Sequence, residues 1–123
     1  MKYTNESSEM YLETILLLTQ KQSHVRAIDI VHSTGYTKPS VSRAMGLLRK
    51  NGYIAIEEDG YISLTEEGKN LSSKILERHR VLSEFLERIG VSHEVAADDA
   101  CKMEHIVSDE TFNKMKEYLS KSL

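Results

Sequence analysis

Cys101, Glu104 and His105 stand at i, i+3 and i+4, a spacing that puts a thiol, a carboxylate and an imidazole on one face of a helix. Thiolate, imidazole and carboxylate are the donors with which proteins hold first-row transition metals. Two more potential donors, Met10 and Glu13, share a face of an earlier helical segment at i, i+3, and His79 interrupts an apolar stripe between them. Packed face to face, the two segments would converge thioether, thiolate, imidazole and carboxylates. A glutamate ionised in such a place is expensive to bury alone, and a divalent cation supplies its partner. Each residue also has a plainer reading. Methionine fills cores and free cysteine is often buried. His79 suits a hydrogen-bonded core histidine, and Glu104–His105 a solvated helix face.

Apolar periodicity defines the elements that must position these groups. Tyr11, Ile15 and Leu18, flanked by Leu12 and Leu16, predict a helix over 6–20. Ala27, Ile28, Ile30 and Val31 predict a second over 26–33, and Gly35 supplies the turn after it. Thr37 is placed to cap a third helix with Pro39 in its first turn, burying Val41, Met45 and Leu48. Helix, glycine-containing turn and amphipathic helix make a helix-turn-helix. Strands at 53–56 and 61–64 flank Glu57-Glu58-Asp59-Gly60, where Asp-Gly signals a hairpin with positive φ at both residues. That hairpin is the wing. Thr65 caps a long helix whose stripe is Leu71, Ile75, Leu82, Leu86 and Ile89, ending at Gly90. A helix around 94–107 follows, then one from 109, capped by Ser108 and carrying Phe112, Met115, Tyr118 and Leu119.

The expected fold is mainly α: a winged helix-turn-helix with a two-stranded wing, plus a helical metal-binding and dimerisation domain. The division falls at 1–70 and 71–123, the first helix contributing ligands to the second part.

Charge is distributed unevenly along the chain. The net charge is −3, yet residues 21–50 carry six basic side chains against Asp29, a local +5 that leaves −8 elsewhere. A basic segment on an acidic chain suits a phosphate-binding surface, although a solvated helix face would look the same. The single cysteine cannot form an internal disulfide, which fits a reducing cytoplasm. No signal peptide and no membrane-length apolar run is indicated.

The order of these motifs resembles the diphtheria toxin repressor and manganese transport regulator family. The likeness rests on Glu9-Met10-Tyr11-Leu12, Thr37-Lys38-Pro39-Ser40-Val41-Ser42, Arg78-His79-Arg80, Ala100-Cys101-Lys102-Met103-Glu104-His105 and Ser108-Asp109-Glu110. The resemblance implies a homodimeric, metal-activated repressor controlling metal homeostasis, bound to palindromic double-stranded operator DNA. It makes Met10, Cys101, Glu104 and His105 the primary metal site and His79 a ligand of the neighbouring one. Two positions depart from the pattern, one from that of the family and one from that of its iron branch. Ser83, with Glu84 beside it, stands where family members usually have a glutamate, and Ala97 where the iron branch has a histidine, so the iron-type ancillary site is not expected. Glu13 matches a carboxylate of the manganese branch, which allows a close pair of sites sharing Glu13, His79 and Glu104. The length matches the two-domain manganese regulators, without an SH3-like third domain.

Sulfur ligands and the Irving–Williams order favour Fe²⁺ over Mn²⁺, and Zn²⁺, Co²⁺ or Ni²⁺ should bind in vitro. At the DNA, Thr37, Pro39, Ser40, Ser42 and Arg43 are expected in the groove, with Arg26, Lys38 and Lys50 on the backbone. The acidic wing tip is not expected to approach phosphate. Two alternatives belong to other classes: a winged-helix regulator sensing oxidation through Cys101 without physiological metal, and a metallohydrolase built on Cys-x-x-Glu-His. No second catalytic group supports the latter, so the chain is not expected to be an enzyme.

Overall fold

The computed structural model describes residues 6–121. Six helices and one hairpin occur in the order α1 (Glu6–Lys21), α2 (Ala27–Thr34), α3 (Lys38–Lys50), β1 (Ile54–Ile56), β2 (Ile62–Leu64), α4 (Glu66–Arg88), α5 (His93–Met103) and α6 (Asp109–Lys121). They form two compact units, residues 1–73 and 74–123.

In the first unit, α1 buries Tyr11, Leu12 and Ile15 against Ile30 of α2 and Val41, Met45 and Leu48 of α3. Leu12, Ile15, Ile30 and Leu48 are among its fully enclosed side chains, each stabilising the fold by roughly 1.5–3 kcal/mol. The turn between α2 and α3 depends on Gly35, whose φ of 78° lets its N–H donate to the carbonyl of Val31. Thr37 then starts α3 by accepting the Ser40 N–H, with Pro39 in the first turn.

The wing pairs antiparallel in the register Ile54↔Leu64, Ala55↔Ser63, Ile56↔Ile62, and Val25 joins as a single bridge to Ile62. Its turn differs from the expected one. Among the described residues positive φ is confined to glycines, so Gly60 adopts it and Asp59 does not. Gly60 donates to the Glu57 carbonyl at 2.9 Å and Glu57 donates to Tyr61 at 2.9 Å. The loop is thus longer than a two-residue connection, and longer loops need only the residue after the turn in the left-handed region.

Thr65 ties the wing to the start of α4: its hydroxyl donates to the Gly52 carbonyl at 2.6 Å and accepts the Gly68 N–H at 3.1 Å. Gly68 itself packs so closely on the Tyr53 carbonyl that a Cβ there would overlap it.

The second unit packs Val81 and Leu82 of α4, Ala100 of α5, and Phe112 and Leu119 of α6 into one core. Ser92 caps α5 and Ser108 caps α6. Helix α5 is shorter than the expected 94–107. It stops at Met103, whose carbonyl accepts from both Ile106 and Val107, at 3.1 and 2.9 Å. The freed carbonyls of Glu104 and Val107 go instead to Arg78, a buried side chain of α4. Nothing local in residues 104–107 signals that break, because the partner that rewards it lies far away in sequence. Two expected stripe residues also differ, with Ile89 and Tyr118 lying mostly in solvent at 59% and 57% exposure.

Candidate metal centre and nucleic-acid interface

Within the second unit, the metal-type donors gather around Glu104. Its side chain is fully buried at the C-cap of α5. His79 Nδ1, from α4, lies 2.8 Å from Glu104 Oε2, and His105 Nε2 lies 3.2 Å from Oε1. Each carboxylate oxygen therefore faces one imidazole. The His105 side chain is 3% exposed and that of His79 31%, so the cluster meets solvent on the His79 side.

The last turn of α5 positions Glu104. Ala96, Ala100 and Glu104 stand at i, i+4 and i+8 and are all buried, and the Glu104 N–H still donates to the Ala100 carbonyl at 2.9 Å, while Cys101 is exposed.

Arg78 holds the turn that carries Glu104 and His105. Its Nη1 donates to the carbonyls of Glu104 at 3.2 Å and Val107 at 2.5 Å, and its Nη2 to Asp109 Oδ1 at 2.5 Å. Its guanidinium also lies 5.2 Å from the Phe112 ring centroid. Sequence reading quoted Arg78 as part of a motif but missed this role, which no spacing rule signals.

Beside the cluster, a cleft of about 700 Å³ is lined by His79, Ser83, Glu84, Glu87, His93 and Ala97 among others. Ser83 and Ala97 supply no anionic or imidazole donor. Glu84 is shared between Arg80 at 3.7 Å and Arg88 at 3.5 Å, and Glu87 pairs with His93 at 3.2 Å. The cleft's two glutamates thus already have side-chain partners.

Met10 and Glu13 lie on α1 in the first unit. Met10 packs against that unit's core and its sulfur is 3.8 Å from the Thr14 hydroxyl, while Glu13 is half-buried.

The residues expected at DNA also lie in the first unit. Arg26, Thr37, Lys38, Pro39, Ser40, Ser42, Arg43 and Lys50 are all exposed, on the side of α3 opposite its buried Val41–Met45–Leu48 stripe or at the start of α2. Sequence reasoning missed Tyr36 and Leu47, which line a hollow of about 340 Å³ with Ser40 and Arg43 and are 49% and 54% exposed.

Residues 3–62 match the family described as iron dependent repressor, N-terminal DNA binding domain, and residues 65–122 its metal binding and dimerisation domain. Transcriptional regulator MntR of Escherichia coli O157:H7 is 32% identical over 119 residues, covering 97% of this chain and 77% of that protein. The chain belongs to the diphtheria toxin repressor and manganese transport regulator family. The diphtheria toxin repressor of Corynebacterium glutamicum is 28% identical over 120 residues, which cover 97% of the chain and 53% of that protein. The manganese regulator SloR has the same fold, with a TM-score of 0.81 at 22% identity over 97% of the chain and 55% of SloR. The chain spans about half the length of these last two relatives. As a family member it is a DNA-binding, metal-dependent transcription regulator, and not an enzyme.

Proposed function

We propose that this family member is a homodimeric repressor, activated by Fe²⁺ or Mn²⁺, that controls metal homeostasis from palindromic operator DNA in the cytoplasm. The observation that carries the reading is the buried Glu104 carboxylate between two imidazoles, His79 at 2.8 Å and His105 at 3.2 Å. A carboxylate with two histidines is a donor set that divalent first-row ions take readily. A bound cation would add positive charge directly beside this buried carboxylate. In this proposal Met10, Glu13 and Cys101 complete the coordination, and Fe²⁺ is favoured over Mn²⁺ by its place in the Irving–Williams order.

The division of labour follows the chain. Residues 1–70 read DNA, with Thr37, Pro39, Ser40, Ser42 and Arg43 at base edges and Arg26, Lys38 and Lys50 on phosphates. Residues 71–123 hold the metal and the dimer contact, for which exposed Ile89, Val95, Ile106 and Tyr118 offer apolar surface. Ligands drawn from both α1 and the second unit make the order of the DNA-reading part depend on metal. Metal and operator must then strengthen each other's binding by the same factor.

The test is an anaerobic DNA-binding titration at fixed salt, comparing apo protein with protein given Fe²⁺, Mn²⁺ or Zn²⁺. The expected result is tight operator binding only with metal, and metal affinity raised equally by operator. Metal-independent binding of equal strength would defeat the proposal and leave a DNA binder whose Glu104 cluster is structural.

A further inference from the structure

The base of the wing carries an aromatic and cationic cluster. Val25 and Ile62 bridge with a 2.7 Å hydrogen bond and are both buried, so their neighbours His24, Arg26 and Tyr61 turn to the opposite face. There the His24 and Tyr61 rings stack with centroids 4.2 Å apart and planes 9° from parallel. The Arg26 guanidinium lies 4.5 Å from the centroid of the same Tyr61 ring. One tyrosine of the wing therefore holds two side chains of the segment that opens α2. Ring stacking and cation–π attraction hold both in place without using their N–H donors. The nearest acid in sequence, Asp29, already accepts from the Arg26 main-chain N–H at 2.9 Å and from Gln22 at 3.2 Å.

We infer that His24, Arg26 and Tyr61 form a clamp for the sugar–phosphate backbone of bound DNA, so that the wing engages DNA through its base and not its tip. The inference rests on the repressor reading above. Arg26 and His24 present N–H donors to phosphate, and Tyr61 is the positioning residue that keeps the two at one spacing. The surrounding segment, with its local charge of +5 over residues 21–50, supplies the attracting field. The tip, with Glu57, Glu58 and Asp59 all exposed, would repel the same backbone. A polyanion is therefore steered to the base.

The experiment uses the full metal-loaded chain with two duplexes, one bearing a sequence that wild-type protein selects from a random pool and one of scrambled sequence. Affinities are measured across a salt series for wild type, Tyr61→Leu, Tyr61→Phe, His24→Ala and Arg26→Ala. Arg26→Ala should weaken both duplexes by about three- to tenfold and flatten the salt dependence by about one unit of slope, the signature of one lost phosphate contact. Tyr61→Leu should reproduce much of that change, and should add little when combined with Arg26→Ala. Tyr61→Phe, which keeps the ring, should restore both affinity and slope. Unchanged binding by Tyr61→Leu, equal loss in Tyr61→Phe, or a loss confined to the selected sequence would each overturn the clamp. If Tyr61→Leu melts early, the surface variants His24→Ala and Arg26→Ala decide the matter by the same slopes. Metal-loaded wild-type protein that selects no sequence from the pool would instead overturn the repressor reading itself.

Discussion

Arg78 Nη1 donates to the main-chain carbonyl of Glu104 at 3.2 Å, joining residues 26 positions apart. The same guanidinium takes the Val107 carbonyl and the Asp109 carboxylate. One buried cation thus defines the turn between α5 and α6, and with it the position of Glu104 and His105. Arg78→Ala would leave two carbonyls without their donor, and unpaired buried polar groups cost about 1–3 kcal/mol each. The expected result is a destabilisation of roughly 2–4 kcal/mol in denaturant unfolding, accompanied by weaker metal binding. Arg78→Lys should recover only part of it, since an ammonium lacks the planar fork that spans these acceptors.

Glu104→Gln removes the carboxylate that both imidazoles face while keeping its shape. Metal affinity should fall by roughly a hundredfold or more, given that even groups which only orient a ligand contribute about 10–100-fold. A competition titration against a chromogenic chelator reads this directly. Retention of wild-type affinity would remove Glu104 from the ligand set.

The Arg78 hydrogen bond, with Lys74 also nearby, holds the Asp109 carboxyl below its ordinary value of 3.8. A depressed folded-state value means the unfolded chain binds the proton more readily. The associated stability is therefore complete above the ordinary value and is lost as pH falls through the lower, folded one. Urea midpoints followed below about pH 4 should drop more steeply for wild type than for Asp109→Asn. Parallel curves would show that the pair contributes nothing to acid sensitivity.

Gly68→Ala tests the seam between the wing and α4. Its methyl would overlap the Tyr53 carbonyl, a main-chain atom that also accepts the Thr65 N–H and cannot step aside. Overpacking of this kind costs about 1–3 kcal/mol. The loss should appear in thermal unfolding of the first unit, against the usual gain from replacing a helical glycine with alanine.

Arg43→Ala should weaken binding to a selected operator by about 1–3 kcal/mol, the worth of a good base contact, and affect scrambled DNA less. Equal losses on both, read by fluorescence anisotropy at one salt concentration, would make Arg43 a phosphate contact instead.

Local rules sufficed wherever the determinant lies within a few residues. Thr37, Pro39 and the Val41–Met45–Leu48 stripe specify the start and buried face of α3, and Gly35 the turn before it. The same holds for the caps at Thr65 and Ser108. The sequence by itself also determined which residue types could bind metal, because thiol, imidazole and carboxylate chemistry is independent of conformation. Tertiary structure decided which of them meet. A helical period carries Glu104 inward behind Ala96 and Ala100, but it does not signal that His79 of another helix meets its carboxylate at 2.8 Å or that Arg78 takes its carbonyl. The His24–Tyr61–Arg26 stack likewise depends on a bridge between Val25 and Ile62, a pairing set by side-chain burial on one face of the wing. Such contacts are non-local, and only the folded chain chooses among the many that its composition permits.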